Sequence, residues 1–158
     1  MAGLKYLHEK GVAHQDIKGA NILIHKDGTV KLADFGCSAE IERTLGSGKL
    51  EKVTGTIPWM APELWEDADG KKHNKRKSDI WSLGCTIVEM ATGKTPWSQY
   101  NVENHFTLML NISRTKDLPA FPETLSEELK DFISLCLKRE PNERPQAAEL
   151  LSHKFLAD

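Results

Sequence analysis

The side chains of this sequence that could do chemistry lie in two short motifs. The run HQDIKGAN at residues 14–21 carries a carboxylate, a cation and an amide, and the later motif ADFG carries a second carboxylate. These residues are Asp16, Lys18, Asn21 and Asp34. One carboxylate could orient a hydroxyl and accept its proton, the cation could neutralise a migrating phosphate, and the amide and second carboxylate could bind Mg²⁺ through hard oxygen ligands. If the chain between the motifs folds back, the four side chains would converge on a site suited to phosphoryl transfer.

The residues between the two motifs predict the hairpin that this convergence requires. The apolar run ILI at 22–24 is followed by the turn signal Asp27-Gly28, and apolar and polar residues then alternate over 30–32. Two short strands joined by an Asp-Gly turn fit this pattern. Residues 36–60 show no sustained period, so an irregular segment is expected there, and long loops of this kind usually serve function.

Most of the remaining sequence predicts helices. The opening MAGLKYLHEKG spaces Leu4 and Leu7 as on one helix face and ends in Gly11, a stop signal. Residues 78–92 are apolar around nearly the whole helical circumference, which predicts a buried helix. Further helices are predicted over 102–112, over 126–138 and from Pro145 towards His153. The expected fold class is mainly α with a small β-hairpin.

Length and cysteine content bound the class of protein. A chain of 158 residues fits one domain, here 1–158. The cysteines are odd in number and far apart, which argues against a disulfide framework and favours a reducing compartment, the cytoplasm. No apolar run approaches the ~18 residues that cross a bilayer, so membrane insertion is not expected.

The charge balance argues against nucleic acid as a partner. Lys+Arg number 21 and Asp+Glu 23, which gives a net charge of −2 and no global positive field. The basic stretch 71–77 follows several acidic residues, and a solvated loop is therefore favoured over a docking or nuclear-import patch.

The two chemical motifs resemble those of protein kinases. HQDIKGAN resembles their catalytic loop, ADFG resembles their metal-binding motif, and APE at 61–63 stands where kinases end the activation segment. SDIWSLG from Ser78, ERP at 143–145 and the closing LLSHKFL resemble further landmarks of the large lobe in the same order. The resemblance covers essentially the whole chain and is greatest to the mitogen-activated protein kinase kinase kinase group. It implies a protein-kinase-like C-terminal lobe that uses ATP and Mg²⁺ and acts on a protein, with a downstream kinase as the expected substrate class.

The resemblance assigns a role to each residue of the cluster. Asp16 matches the catalytic base and Lys18 the lysine that steadies the transferred phosphate. Asn21 and Asp34 match the metal ligands, and Leu23 matches the residue that lies under adenine.

A further pair of features resembles the serine/threonine kinases rather than the tyrosine kinases. Lys18 lies two residues after Asp16, and Gly55-Thr56 precedes the APE motif. By resemblance, Thr56 would hydrogen-bond near Asp16 and Lys18 and is a third catalytic candidate. The implied activity is transfer of the ATP γ-phosphate to a serine or threonine hydroxyl in a MAP kinase cascade.

Other matching residues resemble the framework of the lobe. His14 and Phe35 match members of a stacked hydrophobic spine, and Asp79 matches the residue that holds the backbone of the catalytic loop. Glu63 and Arg144 match a buried ion pair that ties the activation segment to the late helices. Removal of one member of such a pair strands the other charge.

The sequence departs from the family pattern in its missing small lobe. It contains no glycine-rich loop of the form G-x-G-x-x-G and no strand lysine for the α- and β-phosphates. Met1 also falls where kinases have mid-helix sequence, so a fragment, a truncated gene or a degenerate copy is expected. We expect the full-length protein to carry an N-lobe or an upstream regulatory region, and these residues alone to be weakly active or inactive. The alternative is a non-catalytic, pseudokinase-like binding module.

Gln15 is a second departure, because most relatives carry arginine beside the catalytic aspartate. That arginine pairs with a phosphate on the activation segment, and a neutral amide cannot form the same bidentate ion pair. Phosphorylation of Thr44, Ser47 or Thr54 is therefore expected to control activity less tightly.

Overall fold

The computed structural model of the chain describes residues 1–34, 57–66 and 73–156. Its helices are α1 (Ala2–Glu9), α2 (Glu63–Glu66), α3 (Lys75–Thr92), α4 (His105–Arg114), α5 (Glu127–Cys136) and α6 (Ala147–Leu150), and its strands are β1 (Ile22–Ile24) and β2 (Val30–Leu32). Short 3₁₀ turns lie at Gly19–Asn21, Ile57–Trp59, Ser98–Tyr100 and Pro141–Glu143. The predicted fold class, mainly α with a small hairpin, is confirmed. Within these ranges no helix is both long and apolar enough to cross a membrane.

The hairpin forms where the sequence predicts it. Strands β1 and β2 pair antiparallel, with Ile22 opposite Leu32 and Ile24 opposite Val30. The turn between them requires Gly28, whose φ of 86° lies in the left-handed region that residues with a Cβ rarely adopt. The hairpin therefore returns the chain from the end of the first chemical motif to the start of the second.

Helix α3 lies at the centre of the structure, and the prediction of a buried helix is confirmed except towards its end, where Met90 is 61% exposed. Trp81 and Cys85 are completely inaccessible to solvent, as is the polar residue Asp79. The helix ends at Gly93, whose left-handed φ of 65° lets its N–H bond back to the carbonyl of Glu89.

The last three residues of the basic stretch 71–77 form the first turn of α3, so the prediction of a loop is wrong there, whereas His73 and Asn74 precede the helix. Arg76 Nη1 donates to the carbonyl of His8 in α1 over 3.2 Å. Lys77 Nζ donates to the carbonyl of Arg144 near the other end of the chain. Because these partners are distant in sequence, local charge patterning could not predict the helical turn. The first two residues of the stretch lie outside the described residues.

The later helices are confirmed with shifted boundaries. Asn104 and Ser126 cap α4 and α5, each accepting from backbone N–H groups of the first turn. The last helix is shorter than predicted. Gln146 and Glu149 form a reciprocal capping box, so the helix starts after Gln146 and Pro145 stands outside it.

Two apolar clusters pack against α3 and together form the core of the described residues. The first cluster contains the buried residues Ile57, Trp59, Met60, Ala61, Trp81, Cys85, Val88, Trp97, Leu108, Met109, Ile112, Ile133 and Leu137. The second contains Leu4, Ile17, Ile80, Phe132, Cys136, Ala147 and Leu150. Burial raises the pKa of both described thiols, Cys85 and Cys136, and neither forms a disulfide.

A close crossing of α3 and α5 depends on Gly84. A Cβ added to this residue would lie 2.8 Å from Cys136 Cβ and 2.9 Å from Leu137 Cγ. We expect Gly84→Ala to lower the free energy of unfolding by about 1 to 3 kcal/mol, because this overpacking outweighs the gain in helix propensity. Gly3→Ala is the matched control, since its Cβ would lie 3.9 Å from the nearest atom.

Urea unfolding of both variants checks this prediction. Gly3→Ala in α1 should be neutral or stabilising by about 0.5 to 1 kcal/mol. A Gly84→Ala variant as stable as Gly3→Ala would show that the two helices separate at little cost.

Candidate active site

The backbone of the HQDIKGAN run is anchored to α3 through Asp79. This buried carboxylate accepts from His14 N over 2.8 Å and from Gln15 N over 2.7 Å. Its Oδ2 atom also lies 2.8 Å from His8 Nε2 of α1. One side chain therefore fixes the loop between α1 and β1, as the resemblance implies for Asp79.

Gln15 occupies a strained backbone conformation beside this anchor. Its φ of 66° is left-handed, which costs a residue with a Cβ about 1 to 2 kcal/mol. The short bond from its N–H to the carboxylate of Asp79 compensates part of this cost. The sharp turn that results sends the following residue, Asp16, into the interior.

The two carboxylate oxygens of Asp16 differ in their partners among the described residues. The residue is 3% exposed. Its Oδ2 atom accepts from Asn21 Nδ2 over 2.8 Å and lies 2.9 Å from Lys18 Nζ. Its buried Oδ1 atom has no hydrogen-bond partner among the described residues. An unpartnered carboxylate oxygen held beside a cation can accept a hydrogen bond, and then a proton, from a hydroxyl.

Asn21 is oriented so that its amide oxygen remains available. Its Nδ2 atom donates to the carbonyl of Asp16 and to Asp16 Oδ2, both over 2.8 Å. These two bonds satisfy the amide hydrogens and leave the amide oxygen as a possible cation ligand. The predicted metal role of Asn21 therefore fits its geometry.

The hairpin brings the second motif beside the first. Ala33 N donates to the carbonyl of Asn21 over 2.9 Å, and His14 Nε2 lies 3.0 Å from the carbonyl of Ala33. Asp34 follows directly, with an exposed side chain and a left-handed φ of 62°. An exposed carboxylate next to the HQDIKGAN run suits a metal ligand. Within the described ranges, no three His, Cys, Asp or Glu side chains group around a possible metal position, so the predicted site would use one amide and one carboxylate.

The remaining predicted site residues differ in what the structure describes. Lys18 is partly exposed, and its ammonium group forms an ion pair with Asp16. Leu23 is 55% exposed on β1, as an apolar platform for a flat ligand would be. Thr56 and Phe35 lie outside the described residues.

The ion pair of Glu63 and Arg144 is present and bidentate. Arg144 Nη1 and Nη2 donate to the two carboxylate oxygens of Glu63 over 2.7 and 2.8 Å. The other guanidinium hydrogens bond to the carbonyls of Lys77, Lys138 and Arg139. All five donors of the guanidinium are thus engaged, and Arg144 is 1% exposed. The pair joins α2, whose first residue Glu63 is also the last residue of the APE motif, to the segment before α6.

Sequence reasoning did not find a second attachment of the activation-segment end. Trp97 Nε1 donates to the carbonyl of Pro58 over 3.1 Å, and Ser82 Oγ donates to the carbonyl of Trp59 over 2.7 Å. Trp59 Nε1 in turn donates to Glu89 Oε2 over 3.0 Å. The available signal was a single charged side chain, Glu89, in an otherwise apolar run of α3.

Comparison with known proteins assigns the family. The family described as the protein kinase domain matches residues 1–156. The chain belongs to the protein kinase domain family. This kinase chain is 49% identical over 156 residues to mitogen-activated protein kinase kinase kinase YODA of Arabidopsis thaliana, covering 99% of the chain and 17% of that relative.

Relatives of the same description occur in other organisms. Mitogen-activated protein kinase kinase kinase A of Dictyostelium discoideum is 46% identical over 99% of the chain and 16% of its own length. Mitogen-activated protein kinase kinase kinase 4 of Homo sapiens is 44% identical over 97% of the chain and 9% of its own length. The resemblance to this group of serine/threonine kinases is confirmed, and the kinase chain spans less than a fifth of each of these three relatives.

Proposed function

We propose that this chain is the large lobe of a serine/threonine protein kinase that transfers the γ-phosphate of ATP to a protein hydroxyl within a MAP kinase cascade. The buried carboxylate of Asp16 carries this proposal, because it pairs with Lys18 through Oδ2 and its Oδ1 atom has no partner in the described part of the chain. The names of the relatives support a downstream kinase as the substrate class. The cytoplasm is proposed as the location from the cysteine pattern of the sequence alone.

The residues of the site would divide the chemistry between them. Asp16 Oδ1 accepts the hydrogen bond of the substrate hydroxyl and takes its proton as the new P–O bond forms and ADP leaves. Lys18 Nζ neutralises charge on the transferred phosphate, and Asn21 keeps the Asp16 carboxylate in place. Asn21 and Asp34 would hold Mg²⁺, which when bound neutralises the phosphates of ATP. Leu23 would support the adenine, and Thr56 would hydrogen-bond near Asp16.

The proposal includes a small lobe supplied from outside residues 1–158. The sequence contains no glycine-rich phosphate loop, and ATP would meet only the Leu23 side of its site here. We infer that residues 1–158 form part of a kinase domain and need that lobe for turnover.

A fusion of this chain to the small lobe of one of the relatives tests the proposal. We expect Mg²⁺-dependent transfer of labelled γ-phosphate from ATP to serine or threonine of a catalytically inactive downstream kinase. The same fusion carrying Asp34→Ala should lose this transfer, whereas Asp117→Asn, at an exposed residue away from the site, should keep it. A fusion that folds and binds partner proteins but transfers no phosphate would favour a non-catalytic binding module instead.

A further inference from the structure

One carboxylate on α3 bridges two segments of the site that are distant in sequence. Glu89 is half-buried, and its Oε2 atom accepts from Gly19 N over 2.9 Å and from Trp59 Nε1 over 3.0 Å. Gly19 lies directly after Lys18 in the catalytic loop. Trp59 lies in the 3₁₀ turn that precedes the APE motif.

The chemistry of this contact favours a fixed geometry. Both donors are neutral N–H groups, and hydrogen bonds to an ionised carboxylate are shorter and stronger than those between neutral groups. The Gly19 donor belongs to the backbone, so the contact fixes the path of the loop itself. Since Lys18 and Asn21 flank this part of the loop, their side-chain positions depend on it.

The close approach also explains why residue 19 is glycine. A Cβ at this residue would lie 2.9 Å from each carboxylate oxygen of Glu89 and 3.0 Å from its Cδ. Any side chain at this position would push the carboxylate away from the loop. Glycine at residue 19 therefore allows the carboxylate of Glu89 to approach the loop backbone.

We propose that Glu89 is a positioning residue, which couples the catalytic loop to the Trp59 turn and so holds Lys18 and Asn21 in the positions that phosphate transfer requires. This proposal rests on the proposed kinase function. It assigns Glu89 no contact with ATP or with the reacting atoms. Its loss should loosen the loop during phosphate transfer and leave the Leu23 surface for the nucleotide unchanged.

Steady-state kinetics of the fusion with a small lobe tests this role. We expect Glu89→Ala to lower kcat for a protein substrate about tenfold, the size expected when a charge-assisted hydrogen bond to the loop is lost. The KM for ATP should rise by a smaller factor than kcat falls, because Leu23 and Asp34 lie outside the Gly19 turn even though Asn21 moves with it. Glu103→Ala, at an exposed glutamate before α4, is the matched control and should leave kcat unchanged.

The variant Glu89→Gln shows whether a loss of kcat comes from the lost hydrogen bonds or from the lost negative charge. Both donors bond to the same oxygen of Glu89, so one amide oxygen can accept both bonds. This variant should keep kcat within about threefold of the native value. A loss of kcat as large as in Glu89→Ala, or an Ala variant with normal kcat, would overturn the positioning role.

A measurement without turnover keeps the two proposals distinguishable. In NMR spectra of the chain itself, Glu89→Ala should shift the Gly19 amide and Trp59 indole proton signals and speed hydrogen exchange at Gly19, and Glu89→Gln should preserve them. Unchanged signals in the Ala variant would overturn the bridge even if the kinase fusion is active. Shifted signals with an inactive native fusion would instead overturn the proposed kinase function and leave the bridge in place.

Discussion

Replacing Asp16 by asparagine should remove nearly all phosphoryl transfer from the fusion with a small lobe. The substitution keeps the shape of the side chain and an oxygen for the bond from Asn21, but it removes the group that accepts the hydroxyl proton at Oδ1. General-base catalysis contributes about a hundredfold to ten-thousandfold, so kcat should fall by that factor. The measurement is kcat with a protein substrate at saturating Mg-ATP.

Two controls show whether the loss is chemical. The unfolding midpoint of Asp16→Asn should stay close to that of the native chain, because the amide replaces a buried carboxylate of equal size. Asp117→Asn should leave kcat unchanged. A folded Asp16→Asn variant that retains near-native kcat would assign the catalytic base to another residue.

The second large effect concerns the ion pair between Glu63 and Arg144. We expect Arg144→Met to lower the free energy of unfolding by about 3 to 5 kcal/mol, because the Glu63 carboxylate would remain largely buried without its partner. The guanidinium also packs over the ring of Trp81, with its central carbon 5.0 Å from the ring centroid, and methionine replaces only part of that contact. Urea unfolding, monitored by tryptophan fluorescence, provides the measurement.

A double variant distinguishes a stranded charge from lost packing. Removal of both charges in Glu63→Gln/Arg144→Met should recover part of the stability that Arg144→Met loses. Arg114→Met, at an exposed arginine of α4, should change the free energy of unfolding by less than about 0.5 kcal/mol. If Arg144→Met behaves like Arg114→Met, the buried pair contributes little to the fold.

The parts of the fold that depend on neighbouring residues could be predicted from the sequence. The hairpin follows from two apolar runs around Asp27-Gly28, and the centre of α3 follows from its apolar circumference and from Gly93. The start of α3 could not be predicted, because Lys77 bonds to Arg144, far along the chain. The residues near Lys77 in the sequence do not indicate so distant a partner.

The candidate site likewise contains residues that the sequence predicts and residues that only the structure reveals. Motif spacing was enough to single out Asp16 and Asn21, and the structure places their side chains in direct contact. Glu89 was missed because its two donors lie 70 and 30 residues away and neither forms a motif with it. The catalytic role of Thr56 stays a prediction. The effect of Gln15 on control by phosphorylation also stays a prediction.

The two apolar clusters that pack against α3 each contain one cysteine, so the reactivity of each thiol can report on the opening of its own cluster. A thiol reacts as the thiolate, and burial raises the pKa of both Cys85 and Cys136, so neither should be modified while its cluster is closed. The rate of alkylation at each cysteine would then measure how often its cluster opens. Equal rates would mean that the two clusters open equally often, and unequal rates would identify the cluster that opens more often.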